Sequence, residues 1–259
     1  FGLALSQADA DTEAIPFLHR AAELGPLRPE THSNLANAFL KTGHMEDAES
    51  EYRRALELNA DLPEVHYNLG NIAMQKRDAL RAKKEFQKAI ALNPNHANAR
   101  NNLAEILRME GETEEALAEY EAALQVDSNL LRVHKNMAFL LLSMGMSDKA
   151  ATHFRAALQL QPDDPQALNA LGGILARQRL FAEAVACFSH ALDIDPDSPS
   201  THNNMANALF QQGKTDLAIP HFEKAINLDP GNTSFAANFS LVLATKPDSS
   251  TAERARALE

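Results

Sequence analysis

The stretch HSNLANAFLKTG at residues 32–43 returns almost letter for letter as HNNMANALFQQG at 202–213, five periods of 34 residues later. A chain that repeats itself at a fixed period of this length folds as a stack of like units, because one short unit cannot bury its apolar side alone. A frame whose first position is Pro29 gives full repeats at 29–62, 63–96, 97–130, 131–164, 165–198 and 199–232, with partial repeats at 1–28 and 233–259. In the full repeats position 8 is always small (Ala36, Gly70, Ala104, Ala138, Gly172, Ala206), and positions 20 and 27 are always Ala. Position 24 is always a ring: Tyr52, Phe86, Tyr120, Phe154, Phe188 and Phe222.

Positions 4, 7, 8 and 11 have the three-and-four spacing of one helical face, and so do positions 20, 24 and 27, so each unit is predicted to be two helices. Gly43, Gly111, Gly145 and Gly213 at position 15 suit a left-handed cap on the first helix, and Pro94, Pro162, Pro196 and Pro230 at position 32 close the second. Small residues let the two helices approach closely, while the ring fills the space between neighbouring units. The pattern resembles the tetratricopeptide repeat, whose motif W-x-x-L-G-x-x-Y is followed by A, F, A and P at these same positions. The resemblance implies an all-α fold, a right-handed α-solenoid of helix-turn-helix repeats running as one continuous array over 1–259. The frame places Phe1 at position 7 and Glu259 at position 27, so the chain is expected to be a fragment of a longer one. The last segment keeps Ala252 at position 20 but carries Arg256 and Glu259 where earlier units are apolar, as a soluble capping helix would.

Two departures from the family pattern carry expectations. Position 4, aromatic in the motif, is His32, His66, Arg100, His134, Leu168 and His202. These imidazoles are expected to pack between helices with a polar edge towards water. Pro16 and Pro220 both fall early in a second helix, where each should remove a backbone hydrogen bond and leave a slight kink.

Several function classes are disfavoured. A net charge of −11 argues against a nucleic-acid binder, which needs dense Lys and Arg. No apolar run approaches the roughly 18 residues of a membrane span, so no membrane insertion is expected. The single Cys187 excludes an internal disulfide. No phosphate-cradling, dinucleotide, nucleophile-elbow or zinc-peptidase motif can be read, so neither a cofactor nor catalysis by this chain is expected. The His of position 4 suggest a metal array at first sight. Packed helices stand about 8–10 Å apart, however, too far for residues one repeat apart to share one ion. Carboxylates such as Glu112, Glu114, Glu115, Glu119 and Glu121 read as a solvated outer face.

Position 6 is harder to excuse. It is Asn34, Asn68, Asn102, Asn136, Ala170, Asn204 and Asn238, a mediocre helix former repeated at mid-helix. Either the amides tie one repeat to the next, or they form a ladder that grips the backbone of an extended peptide, and the two are compatible. In the resembled family, positions 2, 5, 6, 9, 12 and 13 of the first helices face a concave groove. The ladder is similar to the one in the superhelical domain of O-linked N-acetylglucosamine transferases, where groove asparagines hold the substrate's main chain. Position 9 adds Asn37, Asn71 and Asn207. The carboxylate clamp of chaperone-binding repeats is disfavoured, because Lys135 at position 5 is followed by Phe139 at position 9 and Ala170 at position 6 of the next unit. Groove positions carry Glu30, Glu64 and Glu105 against Lys41, Arg108, Arg132, Lys135 and Arg177, so the acidity lies outside.

The expected function is therefore non-catalytic protein binding: an extended peptide or protein segment held by the Asn ladder, with Arg108 and Lys135 for its acidic residues. One alternative is the substrate-recruiting arm of a larger glycosyltransferase-like enzyme. The other is an assembly scaffold using its convex faces, with self-association possible.

Overall fold

The computed structural model of the chain describes residues 11–245. Phe1, Ala252, Arg256 and Glu259, on which the end-of-chain expectations rest, lie outside the described residues. The chain divides into two compact units, 1–128 and 129–259, and each is described by itself. The first holds α1 (Asp11–Leu24), α2 (Pro29–Lys41), α3 (Met45–Leu58), α4 (Pro63–Gln75), α5 (Ala79–Leu92), α6 (Ala97–Glu110) and α7 (Thr113–Val126). The second holds α8 (Leu131–Ser143), α9 (Ser147–Leu160), α10 (Pro165–Arg177), α11 (Phe181–Ile194), α12 (Pro199–Gln211), α13 (Thr215–Leu228) and α14 (Thr233–Thr245). Among the described residues there is no strand, and the fold is an all-α repeat solenoid.

The turn between the two helices of a repeat has one solution in all six full repeats. The residue at position 16 donates its N–H back to the carbonyl at position 11, as in His44 to Phe39 (2.8 Å) and Lys214 to Leu209 (3.0 Å). This six-to-one bond requires a left-handed residue at position 15. Gly43, Gly111, Gly145 and Gly213 supply it at φ 77–83°, and Arg77 and Arg179 are held there at φ 60° and 64°. Pro at the first helical position starts α2, α4, α10 and α12, where its missing N–H would have had no partner anyway. Pro16 and Pro220 sit inside continuous helices, α1 and α13.

The ring at position 24 organises each repeat. Tyr52 lies fully buried among Ala36 and Ala48 of its own unit and Val65, Leu69 and Ile72 of the next. Phe86, Tyr120, Phe154, Phe188 and Phe222 are equally buried. At position 8 the fit is closest: a Cβ on Gly70 would stand 2.5 Å from Phe86, and one on Gly172 2.6 Å from Phe188.

Position 4 corrects the expectation of a polar edge in water. His32, His66 and His202 are buried, and their polar edges turn inward to position 23 of the same repeat. His32 Nδ1 meets Glu51 and His66 Nδ1 meets Glu85, each at 2.6 Å, and Arg100 donates to Glu119 at 2.6 Å. His134 meets His153 at 3.0 Å and His202 meets His221 at 2.9 Å, Nδ1 to Nδ1 in both pairs. The other edge reaches the carbonyl at position 32 of the preceding unit: Pro26, Ala60, Pro94 and Pro196 accept from His32, His66, Arg100 and His202. In these four repeats the clip thus also satisfies a loop carbonyl.

Candidate functional site

Within each unit the first helices of successive repeats lie side by side, and their position 6 amides meet the helix before. In the first unit Asn68 Nδ2 donates to Asn37 Oδ1 (3.3 Å) and to the Tyr52 hydroxyl (2.9 Å), while Tyr52 itself donates to Asn37. Burial holds the Tyr52 phenol far above its ordinary pKa, so it stays a donor. One repeat on, Asn102 Nδ2 donates to Asn71 Oδ1 (2.8 Å) and Asn102 Oδ1 accepts from Asn101 (3.0 Å).

In the second unit the same donor takes a different acceptor. Asn204 bonds Asn169 (3.0 Å) and Asn238 bonds Asn203 (3.1 Å), both acceptors at position 5 of the helix before. The bonds that Asn68, Asn102, Asn204 and Asn238 donate all cross a repeat boundary, so the ladder has a structural duty. Asn34 and Asn136 lie half-buried on α2 and α8 at the equivalent position.

The two cations singled out from the sequence are already engaged. Lys135 forms an ion pair with the buried Asp164, which also caps α10 by accepting from the N–H of Gln166 and Ala167. Burial would raise the Asp164 carboxyl, but the bond from Lys135 and those two N–H groups outweigh it and leave its pKa lowered. Arg108 pairs with Glu105 at 3.2 Å, and Glu105 accepts the Tyr120 hydroxyl as Asn37 accepts that of Tyr52. In the two repeats of the first unit whose ring is a tyrosine, therefore, position 9 serves that tyrosine.

The residues that sequence reasoning passed over lie where the ladder lapses. Ala170 at position 6 and Gly173 at position 9 of α10 leave a pocket of about 440 Å³ between α8, α10 and α12, with Leu142, Ile174 and Phe188 as its apolar lining. A Cβ on Gly173 would meet nothing within 4 Å. Asn204, Asn207 and Arg177 are the pocket's polar lining together with Asn169. Arg177 donates to Ser147 Oγ (2.9 Å) and has no carboxylate partner among the described residues; Asn207 makes no hydrogen bond there. A second concavity of about 400 Å³ adjoins it, sharing Ala176, Arg177 and Asn207 and adding Arg179 and Phe181. The available sign was one break in the regular Asn of position 6, Ala170, beside the one residue of position 9 that has no side chain, Gly173.

Among the described residues no group of three or more His, Cys, Asp or Glu is gathered to hold a metal ion. No helix there is long and apolar enough to cross a membrane. Cys187, the position 23 partner of Leu168, is half-buried, and burial raises its thiol pKa, with Glu183 adding to the rise and Arg155 opposing it.

Sequence profiles described as tetratricopeptide repeat match residues 67–129, 136–199 and 199–232, and one described as TPR repeat matches 37–76. No curated protein matches the chain. Among solved structures, YrrB, described as a TPR protein with an unusual peptide-binding site, is 20% identical with a TM-score of 0.67, covering 72% of this chain and 96% of its own. PilF of Pseudomonas aeruginosa is 21% identical with a TM-score of 0.68, covering 81% and 95%. MamA of Desulfovibrio magneticus RS-1 is 16% identical with a TM-score of 0.59, covering 66% and 96%. Repeat arrays of this kind are protein–protein interaction scaffolds. The two-helix units with their buried rings, the six-to-one turns and the profile matches lead to one assignment: the chain belongs to the tetratricopeptide repeat family.

Proposed function

We propose that the chain is a non-catalytic scaffold that binds an extended peptide or protein segment along the face of its first helices. The carrying observation is that the inter-repeat bonds spend amide hydrogens and spare carbonyls: Asn68, Asn204 and Asn238 donate, and their Oδ1 atoms have no partner among the described residues. Asn204 and Asn238 present these acceptors one repeat apart, suited to N–H groups of an extended chain. The ladder then ties repeats together and grips a backbone at once. YrrB, with its peptide-binding site, is in keeping with this reading.

A second reading, contacts through the second helices, draws on Leu80 and Leu217, exposed at 80% and 59%. Truncating the ladder would not separate the two, because it also cuts the inter-repeat ties. The test is capture of a pool of octapeptides, capped at both ends, by the native chain and two variants. Arg177→Glu with Asn207→Leu should lose capture, and Leu80→Glu with Leu217→Glu should keep it. The reverse pattern would move function to the outer face.

A further inference from the structure

We infer that the gap in the ladder at Ala170 and Gly173 is a specificity pocket for one bulky aliphatic or aromatic side chain of the bound segment, flanked by an acidic residue that pairs with Arg177. This rests on the peptide-binding reading and names what such a peptide must contain. Three observations carry it.

First, the pocket arises from two coincident losses. In the other full repeats position 9 is Asn37, Asn71, Glu105, Phe139 or Asn207, so Gly173 alone lacks a side chain there, and Ala170 alone replaces Asn at position 6. Helix interiors disfavour Gly by about 1 kcal/mol relative to Ala, and no neighbour requires it, since a Cβ would meet open space. Gly172, one residue earlier, is accounted for by the Phe188 ring; Gly173 is accounted for by the pocket.

Second, the lining matches an apolar side chain under a peptide backbone. Leu142, Ile174 and Phe188 form its apolar part, and Asn204 and Asn207 belong to its polar lining. Its volume of about 440 Å³ falls in the lower part of the roughly 300–1,000 Å³ range of ligand sites. The amide of Asn207 has a donor and an acceptor to spare, which is what a peptide unit crossing the pocket requires.

Third, the charge is one-signed and uncompensated. Arg177 and Arg179 border the two adjoining concavities, and neither has a carboxylate partner among the described residues, in a chain whose net charge is −11. Lys135 and Arg108, by contrast, are neutralised within the fold. An Asp or Glu next to the buried side chain is the complement.

The probe is a positional-scanning pool of octapeptides, acetylated and amidated at their ends, captured by the native chain, by Gly173→Leu and by Arg177→Glu. Native protein should enrich Leu, Ile, Met or Phe at one position, with Asp or Glu within two residues of it. Gly173→Leu, whose Cβ meets open space and whose side chain would occupy the pocket, should cut the apolar enrichment by about tenfold or more while the acidic preference persists. Arg177→Glu should abolish the acidic preference and keep the apolar one. An apolar preference unchanged by Gly173→Leu would overturn the pocket while leaving peptide binding standing. Failure of native protein to capture any peptide would overturn both.

Discussion

Arg77 and Arg179 occupy a backbone position that glycine fills in the other four full repeats. A left-handed residue with a Cβ costs roughly 1–2 kcal/mol. Arg77→Gly should therefore stabilise the first unit by about 0.5–1 kcal/mol after the larger entropy of unfolded glycine is subtracted, and Gly43→Ala should destabilise it by about 1 kcal/mol. Urea unfolding measures both. Adjacent glycines give a sharper contrast. Gly172→Ala forces a Cβ to 2.6 Å from the Phe188 ring and should cost about 1–2 kcal/mol, whereas Gly173→Ala points into open space and should gain about 0.5–1 kcal/mol. Opposite signs at neighbouring residues would be hard to obtain from helix propensity alone.

At the scale of the element, the clip between positions 4 and 23 decides how two helices of a repeat are joined. The pairs are His with Glu, Arg with Glu, His with His, and in the repeat 165–198 Leu168 opposite Cys187. That repeat carries apolar residues at the two positions where the other five carry a polar pair. His66→Leu alone strands Glu85, 12% exposed with only the more distant Lys88 (3.5 Å) left to it, and should cost about 2–4 kcal/mol. Adding Glu85→Ala should recover most of that, a coupling that a double-mutant cycle reads directly. This covariation was available in the letters. A partner 19 residues away does not show in the periodicity of any single position. The two-helix unit, the small residues at position 8 and the buried rings were legible, since helical spacing and volume leave few alternatives. The acceptors of the asparagine ladder were not: position 6 bonds to position 9 of the helix before in one unit and to position 5 in the other, a choice set by packing. Nor was the burial of Glu49, 3% exposed, which accepts from Lys76 and Arg81 at 2.5 Å and also from Arg53. Two of those partners arrive from the next repeat.

On the scale of the whole molecule the two units should answer acid differently. In the second, burial lowers the His221 pKa below its ordinary 6.5 and the charge of His202 lowers it further. Because the His202 Nε2–H is given to the Pro196 carbonyl at 2.9 Å, its Nδ1 accepts from His221, and a second proton between the rings would set two donors head to head. The unfolded chain then binds more protons than the folded one, so the stability this pair confers is complete above pH 6.5 and falls as pH drops below it. In the first unit, Glu49 and Glu85 lie below their ordinary 4.5: burial raises both, but bonds from Lys76 and Arg81, and from His66, outweigh it. Their contribution is complete above pH 4.5 and lost only below it. Hydrogen exchange between pH 7 and pH 5 should accordingly show α12 and α13 losing protection while α3 to α5 keep theirs.

The central claim, that an extended segment lies along the first helices, is tested most directly by where a bound peptide touches. A photo-activatable benzophenone side chain placed at the exposed Gln211 on α12, which borders the second concavity, and in a second protein at Leu217 on α13, should crosslink peptides drawn from the capped octapeptide pool at the first position and not at the second. Crosslinks from Leu217 and none from Gln211 would contradict the account and assign binding to the second helices.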